Sequence, residues 1–204
     1  MENNSQELFR VNSDVITLIK VTEEIGWSEI RQSTIHRLIY LSSVLSSFID
    51  KNRETGFQSY HFSLSQSGPY SEIIERSVLD LQVRDVLYIS PEGNLQLNSE
   101  IIINKKLPLS DKLDWFRVII YILGVYGESK IFGFVLQDPQ YKEDFQTNSQ
   151  MELDISDQNK TVEFLSQFTK TFEETIDDVS QISAQEYLEL YFEYIFSKII
   201  RKEA

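Results

Sequence analysis

Apolar side chains recur at three- and four-residue steps over the first part of the chain, and this spacing predicts two amphipathic helices. The first helix is expected to begin after Ser13, a favourable N-cap residue, and to end at Gly26. The second is expected between Ser28 and Asp50. From Tyr60 to Leu64 apolar and polar residues alternate instead, which is typical of a short half-buried strand.

A glycine-proline pair, Gly68-Pro69, follows this strand and is expected to break it. The next predicted helix begins after Ser71, which is expected to cap it, and carries an apolar stripe at helical spacing. This stripe consists of Ile73, Ile74, Val78 and Leu81. A β-hairpin is expected next, because Val86–Ile89 and Leu95–Leu97 flank a turn that contains proline and glycine. The order helix, helix, strand, helix, hairpin is that of a winged helix.

The chain is therefore predicted to be mainly α with a small β-hairpin, in two domains. A winged-helix-like domain is expected over residues 1–104, and an α-helical domain with an acidic surface over residues 105–204. The linker between them is predicted at Lys105–Pro108. A strongly apolar helix is expected after the capping pair Ser110-Asp111, and a second apolar segment runs from Glu128 to Gln137, before Pro139.

The rest of the second domain is predicted to be an acidic loop, Lys142–Gln158, and two helices. The first helix, from about Asn159 to Val179, has a single apolar stripe, and the second, from Ser183 onwards, is apolar on most sides. The polar residues of that last helix form one narrow strip, which consists of Glu186, Glu189, Glu193 and Ser197.

Two interpretations of the aromatic C-terminal helix stay open: it is the core of the helical domain, or it is a surface for a partner. Aromatic residues are enriched at protein interfaces, which favours the second interpretation slightly. The candidate partner-binding residues are Tyr187, Tyr191, Phe192, Tyr194, Ile195 and Phe196.

The composition excludes several classes of site. Of the 204 residues, 41% are hydrophobic, which is enough to form the core of a folded protein. None is cysteine, which excludes disulfides, thiolate catalysis and cysteine-based metal sites. The only histidines, His36 and His61, match no local metal-binding motif, and the seven glycines form no phosphate-binding loop. We therefore expect no metal, no cofactor and no small-molecule substrate.

Carboxylate pairs such as Glu173-Glu174 and Asp177-Asp178 lie opposite the apolar stripe of a predicted helix, where solvated charge is expected. The two histidines are interpreted as packed or partly exposed side chains rather than as catalytic bases. No catalytic residue is assigned, and the chain is predicted not to be an enzyme. The first residues lack the features of a secretory signal, and no apolar run is long enough to span a membrane, so a cytoplasmic location is expected.

The charge distribution argues against nucleic-acid binding by the chain alone. The formal net charge is −13, and between Asp138 and Glu193 there are 14 acidic residues against three lysines. In a winged helix that binds DNA, the helix after the break enters the major groove and needs exposed cations. The predicted helix between Ser71 and Asp85 has four acidic residues and two arginines. Phosphate is repelled by that balance, so this copy of the fold is predicted to contact protein.

The N-terminal pattern resembles a known family. It begins with His36-Arg37-Leu38-Ile39-Tyr40-Leu41, continues with Tyr60-His61-Phe62 and Ser67-Gly68-Pro69-Tyr70-Ser71, and ends with the helix that has Leu79, Leu81 and Leu87. It resembles the middle component of bacterial ABC-three-component systems, which includes the small third subunit of Lamassu-type anti-phage defence. The resemblance covers roughly residues 16–97. A glycine-proline pair followed by a helix is also similar to the Panacea antitoxin-like domain.

The first resemblance implies a non-enzymatic accessory subunit of an anti-phage defence complex. Such a subunit docks on a large SMC-like ABC ATPase and helps couple it to an effector nuclease, so its partners are proteins and not membranes. Two alternatives stay open: a winged-helix DNA-binding regulator, and an antitoxin that neutralises a partner toxin. No individual residue is assigned a role through the resemblance.

Overall fold

The structure, a computed structural model, describes residues 2–49, 56–98, 100, 109–147, 152–175 and 182–203. The described chain is mainly helical with two small antiparallel sheets, which confirms the predicted class at that level. Its α-helices are α1 (Glu2–Glu24), α2 (Gln32–Ile49), α3 (Glu72–Val83), α4 (Leu113–Gly124), α5 (Ile131–Gln137), α6 (Pro139–Gln146), α7 (Lys160–Thr175) and α8 (Ala184–Glu203). Its strands are β1 (Phe62–Ser65), β2 (Gly68–Tyr70), β3 (Leu87–Ile89), β4 (Leu95–Leu97) and β5 (Glu152–Leu153).

The start predicted for the first helix is wrong, whereas its end is confirmed. Helix α1 begins at Glu2, and Ser13 lies inside it, where its hydroxyl donates to the carbonyl oxygen of Phe9 instead of capping. Most residues before Ser13 are polar, so this first part of the helix has no apolar stripe by which it could be predicted. At the other end Gly26 has φ +89°, and its N–H donates to the carbonyl of Glu23, so a left-handed glycine closes the helix.

The second helix begins at Gln32, later than the predicted Ser28, because the residues before it pair with the hairpin. The main chain of Ile30 donates to Leu95 at 3.0 Å and accepts from it at 2.8 Å. The side chain of Ile30 is fully buried. The segment between α1 and α2 is therefore an isolated antiparallel bridge to β4.

The predicted strand and hairpin are confirmed, but the predicted break at Gly68-Pro69 is wrong. That pair belongs to β2, which returns alongside β1 with Ser63 opposite Tyr70 and Ser65 opposite Gly68. The alternation in β1 is as expected, since Phe62 is buried and Ser63 exposed. Strands β3 and β4 form the expected hairpin, with Leu87 opposite Leu97.

The acidic stretch Lys142–Gln158 is not only a loop, as was predicted. Its first residues belong to α6, and its later residues include β5, which pairs with the free edge of β1. Pro139 starts α6 at a position where a missing N–H costs nothing, and the carboxylate of Asp138 accepts from the N–H of Tyr141. From the sequence, Pro139 is expected only to end the preceding segment.

The caps of the later helices differ from prediction in one case. Ser110 and Asp111 precede α4, but Lys112 holds its N-cap position, and the hydroxyl of Ser110 accepts from the N–H of Lys112 at 3.0 Å. Helix α7 begins at Lys160, as expected, whereas its predicted end at Val179 lies outside the described residues.

Helix α8 starts with a capping box, in which the carboxylate of Glu186 accepts from the N–H of Ser183 at 2.7 Å and the Ser183 hydroxyl accepts from the N–H of Glu186. The polar strip predicted on this helix is exposed along its length, as expected.

One buried apolar cluster contains residues from both halves of the chain, among them Val15 of α1, Ile39 of α2, Phe116 of α4 and Phe192 of α8. The predicted linker, Lys105–Pro108, lies outside the described residues, and the division into two domains stays a prediction. Within the described residues no single helix has the length and hydropathy to cross a membrane. Helix α4 and the segment Glu128–Gln137 reach that threshold only as a pair, and they meet at a bend of 92°.

Candidate functional site

Two segments of the family-like pattern meet in space where α2 packs on β2. The ring of His36 stacks on that of Tyr70, with centroids 5.2 Å apart and planes 14° from parallel. Its Nδ1 accepts a hydrogen bond of 3.1 Å from the main-chain N–H of Ser71, the residue that precedes α3. Ser71 holds the N-cap position, as predicted, but its side chain makes no capping bond. We call these residues, with Arg37, the His36 cluster.

His36 is neutral in this setting. Burial, and then the nearby charge of Arg37, lower the pKa of His36 to about 4. Because Nδ1 accepts from an N–H, the ring proton lies on Nε2, which faces the carboxylate of Glu75 at 3.9 Å. A neutral imidazole whose acceptor nitrogen is already bonded to the main chain is not available as a base.

Arg37 is hydrogen-bonded to the turn between β1 and β2. Its Nε and Nη2 both donate to the carbonyl oxygen of Ser67, at 3.0 and 2.6 Å, and its guanidinium lies 4.3 Å from the ring centre of Phe132. Gly68 has φ +110°, and a Cβ there would lie 3.3 Å from Arg37 Nε. The turn therefore requires glycine both for its backbone angle and for this close approach.

A second buried network joins α2 to the later helices through Asp138. Its carboxylate accepts from the hydroxyls of Tyr40 at 2.9 Å and Thr161 at 2.6 Å, and from the N–H of Tyr141. Burial raises the pKa of Asp138, and these hydrogen bonds act in the opposite direction. Because both oxygens accept from fixed donors, the carboxylate connects α2, α6 and α7 and is not directed at a cleft.

A third network lies around Asp14, beside a cavity of about 410 Å³. One carboxylate oxygen accepts from Ser110 and from the Lys112 ammonium, and the other accepts from the Tyr60 hydroxyl at 2.6 Å and from Lys112 at 2.9 Å. This arrangement has the acid, cation and hydroxyl of a catalytic centre. Every one of these groups is paired with another of them, however, so the network ties α1 to the start of α4 without a free nucleophile or base.

The outer face of α3 differs from these interior networks because it is apolar and open. Leu79 and Val83, one turn apart, are 53% and 84% exposed. On the adjoining strand β3, Tyr88 and Ile89 are also exposed. Exposed large apolar residues close together mark interaction surfaces more often than chance. This face was not predicted from the sequence, although Leu79 and Val83 lie outside the apolar stripe of Ile73, Ile74, Val78 and Leu81.

The candidate partner-binding residues of the C-terminal helix are mostly inside the protein. Tyr187, Tyr191, Phe192 and Ile195 are buried, Phe196 is partly buried, and Tyr194 is 37% exposed. Phe192 packs edge-on against Phe134 of α5. Of the two interpretations kept open, the core role is thus observed for four residues, and a partner surface on α8 stays a prediction that depends on Tyr194 and Phe196.

Within the described residues, no three histidine, aspartate or glutamate side chains come together in a way that would hold a metal ion. His61 is exposed beside Glu152, to which it is hydrogen-bonded, and lies outside the His36 cluster. Comparison of the chain with protein-family models, with curated proteins and with solved structures finds no match.

Proposed function

We propose that this protein is a non-enzymatic accessory subunit of a bacterial anti-phage defence complex, and that it acts in the cytoplasm by docking on an SMC-like ABC ATPase and helping couple it to an effector nuclease. One observation supports this most. Two segments of the family-like pattern, one with His36 and Arg37 and the other with Ser67, Tyr70 and Ser71, meet in the His36 cluster, where stacking and hydrogen bonds join them. A pattern of residues that maintains a scaffold fits a docking subunit.

The absence of enzymatic activity is proposed from the pairing of the ionisable groups in the polar networks. In the His36, Asp138 and Asp14 networks the ionisable groups are bonded to other groups of the same chain. A catalytic centre leaves at least one group free to meet a substrate and perturbs its pKa for that purpose. The described part of the chain is therefore better explained as a scaffold for a binding surface than as an active site.

A winged-helix-like arrangement of the N-terminal half is part of the proposal. The bridge between Ile30 and Leu95 supports it, because it supplies a first short strand between α1 and α2, paired to the second strand of the hairpin. Helix α3 then has the position of the helix that enters DNA in such folds. Its three acidic residues, Glu72, Glu75 and Asp80, and its exposed apolar side chains fit protein contact better than phosphate contact.

Co-purification tests this function. The chain is co-expressed with a candidate SMC-like ATPase and a candidate effector nuclease, and only the chain carries a tag. We expect a stable complex whose nuclease activity requires the chain. A chain that stays alone, or a complex whose nuclease activity is the same without it, contradicts the proposal.

Binding of duplex DNA by the isolated chain at about 150 mM salt, where weak charge attraction is screened, would favour the regulator instead. Rescue of growth from a co-expressed toxin would favour the antitoxin.

A further inference from the structure

The outer face of α3 carries a continuous exposed stripe. Glu72, Arg76, Leu79 and Val83 follow each other at steps of four, three and four residues, which places them on one side of the helix, and all four are exposed. The opposite side of α3, with Ile74, Val78 and Leu81, is buried in the core. The half of the stripe nearer to β3, which consists of Leu79 and Val83, is apolar.

Helix α3 is held rigidly below this stripe. The side chain of Asn12 on α1 donates to Asp80 at 2.7 Å and accepts from the hydroxyl of Ser77 at 2.7 Å. Arg84 is paired with Asp80 at 2.8 Å. A surface whose backbone is fixed before binding loses little conformational entropy when a partner arrives, so its exposed side chains contribute more of their contact energy to affinity.

Strand β3 follows α3 and packs beside it. The chain turns sharply after α3 at Asp85, which has φ +59°, and the N–H of Val86 donates to the carbonyl of Leu81 at 2.9 Å. Strand β3 pairs with β4 on one side, and within the described residues its other edge has no partner strand. Tyr88 and Ile89 are exposed there. We call the exposed side of α3 at Leu79 and Val83 the α3 face.

Charge indicates the occupant of the α3 face. The stretch from Ser71 to Asp85 has four acidic residues and two arginines, and the chain as a whole has a formal charge of −13. A second copy of the chain would bring the same excess of negative charge and be repelled. A partner segment with apolar side chains inside a rim of lysine or arginine matches the face in both respects.

We infer that the α3 face, and not the aromatic helix α8, is the surface on which the partner ATPase docks, and that the ATPase contributes an apolar segment rimmed by basic residues. The inference rests on the proposed function, since it names the surface and the chemistry by which that docking occurs. In this inference α3 has the position that the DNA-reading helix has in a winged helix, but its ligand is a protein.

The test measures binding of the purified ATPase to variants of the full chain. Leu79→Glu and Val83→Glu are each expected to weaken binding about tenfold or more, as substitutions at the centre of an interface do. Val125→Glu is the matched control, because Val125 is 80% exposed but lies at the end of α4. It is expected to change binding less than about twofold, and so is Tyr194→Glu on α8.

The basic rim has its own test. Glu72→Lys is expected to weaken binding and Arg76→Glu to strengthen it, with both effects decreasing as salt is raised. The reverse signs would show an acidic partner segment and overturn that part of the inference.

The remaining outcomes separate the inference from the function on which it rests. If the unaltered chain binds the ATPase and the Leu79 and Val83 variants bind equally well, the α3 face is not the docking surface, although the proposed function stands. If the unaltered chain does not bind, the proposed function itself fails. A concentration-dependent dimer that Val83→Glu dissociates would make a second copy the occupant. A lower melting temperature for Val83→Glu but not for Val125→Glu would make the occupant a segment of this chain.

Discussion

Glu128 caps the start of α2 from 97 residues away through its contact with Arg31. One of its carboxylate oxygens accepts from the main-chain N–H of Arg31 at 3.0 Å and from the side-chain Nε at 3.1 Å. The same oxygen accepts from the hydroxyl of Thr34 at 2.7 Å. The helix thus obtains its N-terminal acceptor from another part of the fold instead of from the residue before it.

Replacement of this cap should destabilise the protein. Burial alone would raise the pKa of Glu128, but hydrogen bonds from Arg31 and Thr34 outweigh it and lower the pKa. The contribution of the ionised carboxylate is therefore present at neutral pH and lost as pH falls through the lowered value. Glu128→Gln is expected to cost about 1 kcal/mol at pH 7, measured by denaturant unfolding, and less in acid. A cost that grows as pH falls would contradict this assignment.

Stability should also depend on the protonation of His36. Its pKa is lowered to about 4 from 6.5, so between these values the unfolded chain binds more protons than the folded one. Stability therefore rises with pH across that window and is lost on acidification, by an amount on the order of 2 kcal/mol at pH 5.

The matched variant is His36→Gln, whose side-chain oxygen can still accept from the N–H of Ser71 but does not titrate. Unfolding curves at pH 5 and pH 7.5 should differ less for this variant than for the natural chain. An NMR titration of His36 with a midpoint near 6.5 would disprove the prediction.

Gly68→Ala should be strongly destabilising. Gly68 has φ +110°, which an alanine adopts only with strain, and the new Cβ would press on Arg37. The expected loss is about 2–3 kcal/mol in unfolding free energy. Gly93→Ala is the control, since Gly93 has φ +82° and nothing within 4 Å of a Cβ, so only backbone strain of about 1 kcal/mol is expected. Equal losses for the two variants would mean that the contact with Arg37 contributes nothing.

The buried pair of Asp14 and Lys112 should matter far more than a surface pair. Asp14 is 2% exposed, and its replacement by alanine leaves the ammonium of Lys112 and the hydroxyl of Tyr60 without their acceptor. Thermal or denaturant unfolding of Asp14→Ala is expected to show a loss of about 3 kcal/mol. For Glu174→Ala, which removes the exposed partner of Lys170, a change below about 0.5 kcal/mol is expected. Similar losses for both would argue that the Asp14 network is solvated.

Local pattern was enough to predict the helices with a clear apolar stripe and the hairpin of β3 and β4. It failed where the structure depends on contacts between distant residues. The bridge of Ile30 to Leu95 and the pairing of β1 with β5 leave no periodic signal in residues 30 or 152–153. Pro139 was interpreted from its local chemistry alone, and its role at the start of α6 becomes evident only with the cap from Asp138.

The candidate sites were harder to predict than the fold. Aromatic content singled out Tyr191 and Phe192 as partner-binding, but the same large apolar surface makes them core residues once α5 packs against α8. Leu79 was noticed only as part of a resemblance. Leu79 is exposed because the opposite side of α3 is the one that packs against the core. The apolar stripe in the sequence identifies the buried side of the helix, but it does not show whether another element covers the remaining side.

The pairing of β5 with β1 also has a consequence for biosynthesis. Glu152 lies beside His61, 91 residues after it, so the ribosome must add the whole of α3 to α6 before β1 acquires its second neighbour. Until then one edge of β1 offers unpaired main-chain groups to any nascent chain nearby. The emergence of residue 153 from the ribosome is therefore the point after which β5 can cover this edge of β1.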